Sequence, residues 1–244
     1  MASSTETVPA PTGRLAQYRA DVAALAAHQK SKRGAPPYSL LINRPLGRRF
    51  AALAHVTGMT PNQVSIVSAL FTGAGLTIMA VARPSWPMAI VMVLVLVLGY
   101  AIDSADGQLA RLTTGGTLAG EWLDHCLDMV KMSSFHAVIL ISAYRFERGR
   151  LGEWPMGVAV AFGVIAVTSF FVFILTDQLR RQSGGSGPPR PTAWWFLLAG
   201  APTDYGVQCL WLVTRPVPAL FYGGYALLAA ANLGHLAIGA LSRF

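Results

Sequence analysis

The fold is decided by an acidic stretch, Asp103-Ser-Ala-Asp106-Gly107-Gln-Leu-Ala-Arg111, and by its continuation, Gly120-Glu-Trp-Leu-Asp124-His-Cys-Leu-Asp128. Five of the eleven acidic residues of the chain fall in these two segments: Asp103, Asp106, Glu121, Asp124 and Asp128. Apolar runs lie on both sides, at residues 91–100 and 135–143. A charge at mid-bilayer depth costs about 2.5–3.5 kcal/mol. So many carboxylates between apolar runs therefore predict a compensating cation.

The spacing of the aspartates predicts where that cation binds. Asp103 and Asp106 are three residues apart, and Asp124 and Asp128 are four apart, so each pair shares one helix face. Residues 112–118 are rich in Thr and Gly and predict a turn between two antiparallel helices. Carboxylate oxygens suit Mg²⁺, and four carboxylates around one ion would leave surplus negative charge. We therefore expect two Mg²⁺ ions, which Mn²⁺ can replace, rather than a solvated acidic turn.

Composition indicates a membrane protein. The 244 residues are 53% hydrophobic and only 12% charged, with a mean hydropathy of +0.47, which predicts one compact membrane bundle. The net charge of +8 fits either nucleic acid or an anionic membrane surface. The apolar spans favour the membrane, so we expect membrane lipids and no nucleic acid among its partners.

The chain divides into a tail and a membrane-embedded domain. Residues 1–43 predict a partly disordered cytosolic tail with a short helix at 15–28, and residues 44–244 form the domain. At the start of the domain, residues 44–56 predict an amphipathic helix on the membrane surface. Its apolar side would carry Leu46, Phe50 and Leu53, and its arginines, Arg44, Arg48 and Arg49, would meet headgroups. An ordinary packed helix is the alternative.

Hydropathy predicts an all-α polytopic fold with about six transmembrane helices. The predicted spans are residues 64–82, 87–111, 118–144, 154–175, 204–213 and 217–241. Lys and Arg are concentrated in the segments that share a side with the N-terminus. The positive-inside rule then places both termini and the acidic stretch on the cytosolic side.

The acidic stretch also carries a family resemblance. Its pattern, D-x2-D-G-x2-A-R-x8-G-x3-D-x3-D, resembles that of the CDP-alcohol phosphotransferases, also called CDP-alcohol phosphatidyltransferases, and the resemblance covers about residues 45–241. It implies transfer of a substituted phosphate group, such as phosphatidyl, from a CDP-alcohol to an alcohol. CDP-diacylglycerol is the expected donor, CMP the released product and phospholipid biosynthesis the process. We also expect a homodimer.

The resemblance assigns roles to individual residues. It implies metal ligation by Asp103, Asp106, Asp124 and Asp128, and it makes Asp128 the base that deprotonates the acceptor. The sequence does not separate a basic role of Asp128 from metal ligation alone. Contacts to the nucleotide or donor are implied for a further set: Asn62, Ser65, Gly107, Arg111, Thr117 and Gly120.

Two questions stay open at this level. Acids within membrane helices also line ion paths, so an ion or proton transporter is the rival function. Within the family, the acceptor is glycerol phosphate or inositol phosphate, or else an uncharged alcohol, and the donor is lipid-linked or water-soluble. A phosphate-bearing acceptor needs extra cations, for which Arg180, Arg181 and Lys131 are candidates.

Overall fold

A computed structural model describes residues 13–27, 36–113, 115–183 and 200–241. Within these residues every regular element is helical, which confirms the all-α class. The α-helices are α1 (Arg14–Ala27), α2 (Arg44–Val56), α3 (Pro61–Val81), α4 (Trp86–Thr113), α5 (Leu118–Phe146), α6 (Arg148–Leu151), α7 (Trp154–Gln182), α8 (Tyr205–Trp211) and α9 (Pro218–Leu241). A π-helical turn, Ser39–Asn43, precedes α2, and the 3-10 turns Ala201–Thr203 and Leu212–Thr214 flank α8.

Capping residues set where helices α3 and α5 begin. Thr60 accepts a hydrogen bond from the backbone N–H of Gln63 at 3.3 Å, and the Gln63 side chain accepts one from the Thr60 N–H at 2.9 Å. This capping box, with Pro61 in the first turn, begins α3. Thr117 caps α5 by accepting from the Gly120 N–H at 3.0 Å. Both capped helix starts, with their polar residues, therefore lie at the same end of the bundle.

The long helices form a bundle around one apolar core. Helix α3 packs closely against both α4 and α5, and α5 packs against α7. Fully buried core side chains come from all of these helices and from α9: Met79, Met92, Leu96, Phe135, Ile139, Phe162 and Phe221. Helices α4 and α5 approach each other less closely. Their polar ends therefore face each other across a gap beside the first turns of α3.

Four described helices are long and apolar enough to cross a membrane, namely α3, α4, α5 and α7. They correspond to the first four predicted spans. The predicted fifth span is the short helix α8, whose 7 residues cover only about 10 Å at 1.5 Å per residue. The predicted sixth span coincides with α9, which is not among the four. The count of six spans is therefore not confirmed, although the four apolar helices fit a membrane-integral protein.

Helix α2 has the predicted bounds, but its buried face consists of small residues. Gly47, Ala51, Ala52 and Ala54 are buried, and a Cβ on Gly47 would lie 2.8 Å from Ser104 Oγ on α4. This close approach brings α2 directly onto α4, and the partly buried Phe50 packs against the same apolar cluster. Leu53 is 51% exposed. Contact of that side with a membrane surface remains a prediction.

The described part of the N-terminal tail packs on the domain. Helix α1 agrees with the predicted helix at residues 15–28. Its Asp21 carboxylate lies 2.7 Å from His55 Nδ1 on α2, and Leu25 packs into the apolar cluster that contains Ala51 and Leu109. The rest of the predicted disordered tail, residues 1–12 and 28–35, lies outside the described residues. The boundary between tail and domain at residue 43 remains a prediction.

Two glycines of α3, Gly75 and Gly73, should differ in how far their replacement by alanine lowers the stability of the fold. A Cβ on Gly75 of α3 would lie 2.6 Å from Leu96 Cγ on α4, whereas a Cβ on Gly73 would meet nothing within 4 Å. We expect Gly75→Ala to cost about 1–3 kcal/mol through overpacking, more than the roughly 1 kcal/mol that Ala gains over Gly in a helix. Thermal unfolding in detergent should show a lower Tm for Gly75→Ala and no loss for Gly73→Ala. Equal Tm values for both variants would contradict this packing.

Candidate active site

Three of the four predicted metal ligands converge. One carboxylate oxygen each from Asp103, Asp106 and Asp124 lies within 4.8 Å of the other two. Asp103 and Asp106 come from the last turns of α4 and Asp124 from the second turn of α5, so the gap between these helices carries the site. The sequence prediction that the two pairs face each other agrees with this arrangement.

The fourth aspartate, Asp128, lies on the same side of α5, one turn further along. It forms a second group with Asp124 and His125, again with one ligand atom each within 4.8 Å of the others. His125 was not among the predicted site residues. The imidazole of His125 also lies 3.7 Å from the carboxylate of Glu121, one turn earlier on α5.

Sequence reasoning missed the position of Lys131 in this cluster. Its ammonium group lies 2.7 Å from Asp103 Oδ2 and also contacts Asp128 Oδ1, so that it bridges α4 and α5. Lys131 is only 8% exposed. The available signal was its position three residues after Asp128, which places both side chains on one helix face.

Serine hydroxyls from α3 hold the carboxylates of α4. Ser65 donates to Asp106 Oδ2 at 2.5 Å, and the Ser68 hydroxyl, which donates to the Gly99 carbonyl oxygen at 2.9 Å, also lies 3.2 Å from Asp103 Oδ1. The other oxygen of Asp106 accepts from the Gly107 N–H. These contacts orient the carboxylates of Asp103 and Asp106 toward the gap. Ser65 was predicted to contact the nucleotide, which remains a prediction.

The remaining predicted nucleotide contacts line the mouth of the gap. A Cβ on Gly120 would lie 3.1 Å from Thr117 Oγ1 and 3.6 Å from Asn62 Oδ1, so these three residues from α3 and α5 meet. On α4, a Cβ on Gly107 would lie 3.6 Å from Arg111 Nη1 and would meet no other atom within 4 Å. The Gly107 surface is therefore open to a ligand, with the Arg111 guanidinium beside it.

The two arginines proposed for a phosphate-bearing acceptor lie at the end of α7. Arg181 forms ion pairs with Glu121 on α5 and with Asp177 on α7, both at 2.7 Å. Its charge is therefore already matched by two carboxylates. The Glu121 carboxylate of the acidic stretch therefore pairs with Arg181.

The inner wall of the site is aromatic and is positioned by Asp204. The Asp204 carboxylate caps α8 by accepting from the Gly206 N–H at 2.9 Å, and it accepts from the Ser39 N–H at 3.0 Å. Burial raises the pKa of Asp204, while these two N–H donors oppose the rise. The cap ties the turn before α2 to α8, and it places Tyr205 edge-on against Tyr100 of α4 with ring centroids 5.2 Å apart.

The donor set fits a divalent cation. Three carboxylates from two helices offer hard oxygen ligands within one cluster, and the open side of the cluster would leave coordination positions for phosphate oxygens and water, as Mg²⁺ prefers. Asp106 is 7% exposed. A charge buried to that extent needs a cation or protonation to offset its desolvation.

Removing the Ser65 hydroxyl should weaken this site. We expect Ser65→Ala to lower apparent metal affinity about 10–100-fold, which is typical for the loss of a hydrogen bond to a metal ligand, because Asp106 loses its 2.5 Å donor. The measurement is activity against Mg²⁺ concentration. Ser133→Ala is the matched control, because the exposed Ser133 hydroxyl donates only to backbone oxygens of its own helix. An unchanged metal requirement in Ser65→Ala would show that this contact does not support the site.

Comparison with known proteins gives one family. The family model described as CDP-alcohol phosphatidyltransferase matches residues 58–230, more than half of the chain, and these residues contain all of the clustered aspartates. No curated protein matches the sequence significantly.

Proposed function

Because this chain belongs to the CDP-alcohol phosphatidyltransferase family, we propose that it transfers a phosphatidyl group from CDP-diacylglycerol to an alcohol and releases CMP. Such a reaction belongs to phospholipid biosynthesis. The observation that carries the proposal is the convergence of Asp103, Asp106 and Asp124 at one end of the bundle, beside the open Gly107 surface. A pyrophosphate donor requires that combination, since its negative charge must be offset while the reacting phosphorus stays accessible.

The cofactor in this proposal is Mg²⁺, with Mn²⁺ as a substitute. Asp103, Asp106 and Asp124 would hold it. When bound, the ion neutralises the pyrophosphate and makes its phosphorus more electrophilic. Arg111 lies beside Gly107, and its planar guanidinium can bind a phosphate through two hydrogen bonds. Asn62, Ser65, Thr117 and Gly120 would surround the cytidine side of the donor.

Asp128 acts as the base in this proposal. The acceptor hydroxyl gives its proton to Asp128 while its oxygen bonds to the β-phosphorus of the donor. The bond between that phosphorus and the bridging oxygen breaks, and CMP leaves with the electron pair. Lys131 contacts Asp128 Oδ1, which leaves the second carboxylate oxygen of Asp128 to receive the proton.

We propose a cytosolic active site in an integral membrane homodimer, with both termini on the cytosolic side. CDP-linked substrates are available there. The support is the excess of Lys and Arg in the segments on that side of the sequence. Arg215, on the opposite side in this topology, is 4% exposed and donates to Ser142 Oγ at 2.5 Å and to the Met79 carbonyl oxygen at 3.2 Å, so hydrogen bonds within the bundle satisfy this cation.

The transporter alternative loses its support. A transport path predicts acids distributed along the depth of the bundle. In the four candidate spans the acids instead gather at one end: Asp103, Asp106, Glu121, Asp124, Asp128 and Asp177. The family match also favours the transferase.

The test is release of CMP by detergent-purified protein. CDP-diacylglycerol and a water-soluble CDP-alcohol are each supplied with Mg²⁺ and a panel of acceptors that includes glycerol phosphate, inositol phosphate, inositol and phosphatidylglycerol. We expect CMP only with the lipid-linked donor and only when a matching acceptor is present. Absence of CMP with every combination, from protein that remains monodisperse, would contradict the proposed function.

The open surface at Gly107 gives a prediction for donor binding. A leucine there would project into the gap beside Arg111 and occupy the place of the nucleotide. We expect Gly107→Leu to raise the donor KM by about tenfold or more, a loss of about 1.4 kcal/mol, with normal folding. Gly157→Leu is the control, because a Cβ on Gly157 of α7 meets nothing within 4 Å and Gly157 lies outside the aspartate cluster. A normal donor KM in Gly107→Leu would remove this surface from the donor site.

A further inference from the structure

Helix α1 lies outside residues 58–230, which the family model matches, and it packs on helices next to the candidate site. Its buried side chains are Asp21 and Leu25. Isolated helices shorter than about 12–15 residues are marginal in water, and α1 has 14 residues. The stability of α1 as a helix therefore depends on what these two side chains contact.

Each oxygen of the Asp21 carboxylate has a hydrogen-bond partner. Oδ1 accepts from Gln17 Nε2 at 2.8 Å within α1, and Oδ2 lies 2.7 Å from His55 Nδ1 on α2. Because an ionised carboxylate only accepts hydrogen bonds, the N–H of His55 is the donor to it. Asp21 is 4% exposed, and a carboxylate buried to that extent needs a partner. The pair of Asp21 and His55 therefore fastens α1 to the last turn of α2.

Leu25 supports the turn of α4 that carries Asp106 and Gly107. It belongs to the same apolar cluster as Ala105 and Leu109, which are two residues before and two residues after Gly107. Positions two apart lie on nearly opposite sides of a helix. The cluster that contains Leu25 therefore lies behind the open surface at Gly107.

Helix α2 connects the pair at His55 to the same turn of α4. A Cβ on Gly47 would lie 2.8 Å from Ser104 Oγ and 2.9 Å from Gln108 Nε2. Gln108 also donates to the Arg44 carbonyl oxygen at 3.2 Å. The 13 residues of α2 extend about 20 Å at 1.5 Å per residue. One end of this helix is thus held by α1, and the other end contacts α4 beside the candidate nucleotide site.

We propose that α1 is a strap, fastened by the pair of Asp21 and His55, whose docking positions the Gly107 turn for nucleotide binding. Both residues are positioning residues, since they act through α2. With α1 docked, α2 and the apolar cluster hold the turn; with α1 undocked, the turn is held less firmly and binds the nucleotide less tightly. The proposal rests on the proposed function in taking the Gly107 surface as the nucleotide site.

Hydrogen–deuterium exchange of the detergent-purified full-length protein tests the fastening. His55→Ala leaves the buried Asp21 carboxylate without its partner on α2, so we expect faster exchange across residues 14–27. Adding Asp21→Ala should restore part of the protection, because removal of both partners leaves no uncompensated buried charge. Leu25→Ala, which removes the other contact, should also speed the exchange. Arg19→Gln is the control, because Arg19 is an exposed residue of α1.

Unchanged exchange of residues 14–27 in both His55→Ala and Leu25→Ala would overturn the proposal. Exchange that is equally fast in His55→Ala and in the double variant would show that His55 acts without Asp21, and would overturn it as well.

Nucleotide affinity tests the positioning. For His55→Ala we expect the donor KM and the Kd for CMP to rise about fivefold, the lower end of coupling between linked sites. Turnover at saturating donor should stay normal, and Arg19→Gln should change neither constant. Faster exchange of α1 with an unchanged Kd for CMP, or a fall in turnover at an unchanged KM, would overturn the proposal.

The unmodified protein provides the closing test. If docking of α1 raises the affinity for CMP, then CMP must strengthen the docking of α1 by the same factor. We expect saturating CMP with Mg²⁺ to slow the exchange of residues 14–27 and to leave that of α6 unchanged. CMP that binds without slowing the exchange of α1 would overturn this inference alone. Absence of CMP binding would instead contradict the proposed function, and with it the nucleotide site on which the inference rests.

Discussion

Asp128→Asn is expected to lower turnover by about 10²–10⁴-fold, the usual contribution of a general base, while Mn²⁺ and donor binding persist. The amide keeps the shape of the side chain but cannot accept the proton of the acceptor. The metal site should survive, because one oxygen each of Asp103, Asp106 and Asp124 still lies within 4.8 Å of the other two. Loss of metal binding together with turnover would instead make Asp128 chiefly a ligand.

The measurement combines single-turnover kinetics with Mn²⁺ and CMP binding on the same preparation. Glu121→Gln is the matched control, because Glu121 lies seven residues earlier on α5 and pairs with Arg181 outside the cluster. We expect Glu121→Gln to retain near-normal turnover. Wild-type turnover in Asp128→Asn would show that another group removes the proton.

Removal of the divalent cation is expected to abolish turnover, and Asp106→Asn should have the same effect at ordinary Mg²⁺ concentrations. Asp106 is the most enclosed of the clustered aspartates, at 7% exposure, and its oxygens are fixed by Ser65 and the Gly107 N–H. Loss of a direct ligand should weaken metal binding more than the roughly 10–100-fold that is typical of an outer contact.

Excess EDTA should stop CMP release, and Mg²⁺ or Mn²⁺ should restore it. Asp177→Asn is the control for the variant, because Asp177 is an acid of a membrane helix that pairs with Arg181 rather than with the cluster. Full turnover in excess EDTA would exclude a metal-dependent reaction. Normal metal binding in Asp106→Asn would exclude this residue as a ligand.

Local sequence signals predicted the convergence of Asp103, Asp106 and Asp124, because these signals are contained within single helices. The spacing from Asp103 to Asp106 and from Asp124 to Asp128 fixes a shared face in any α-helix. The caps at Thr60 and Thr117 are equally local, since each is a contact between residues three apart. The four long spans followed from hydropathy alone.

The contacts that the sequence did not reveal join residues far apart in the chain. Lys131 meets Asp103, 28 residues away, and Ser65 meets Asp106, 41 residues away. Both pairings depend on how α3, α4 and α5 pack, which hydrophobic periodicity does not determine. The sequence suggested Arg181 as a cation for the acceptor phosphate. It did not reveal that Arg181 pairs with Glu121, which lies 60 residues away in the chain.

Small residues explain the difference at the N-terminal side of the domain. Hydrophobic patterning assigned the large residues of α2 to the membrane. The packing on α4 uses Gly47 and the alanines, which allow the helix backbones to approach closely, and Phe50 packs against the same cluster. A hydropathy pattern weights such residues weakly, so it placed the helix correctly along the chain but did not show which face is buried.

The most direct test follows the oxygen atom of the acceptor. The acceptor alcohol that supports CMP release is labelled with heavy oxygen at its hydroxyl, and both products are analysed by mass spectrometry after one turnover with CDP-diacylglycerol and Mg²⁺. Attack of the hydroxyl on the β-phosphorus predicts that the label is retained in the phosphodiester lipid and is absent from CMP. Label in CMP, or CMP formed with phosphatidic acid in place of the phosphodiester, would contradict transfer of the phosphatidyl group to the alcohol.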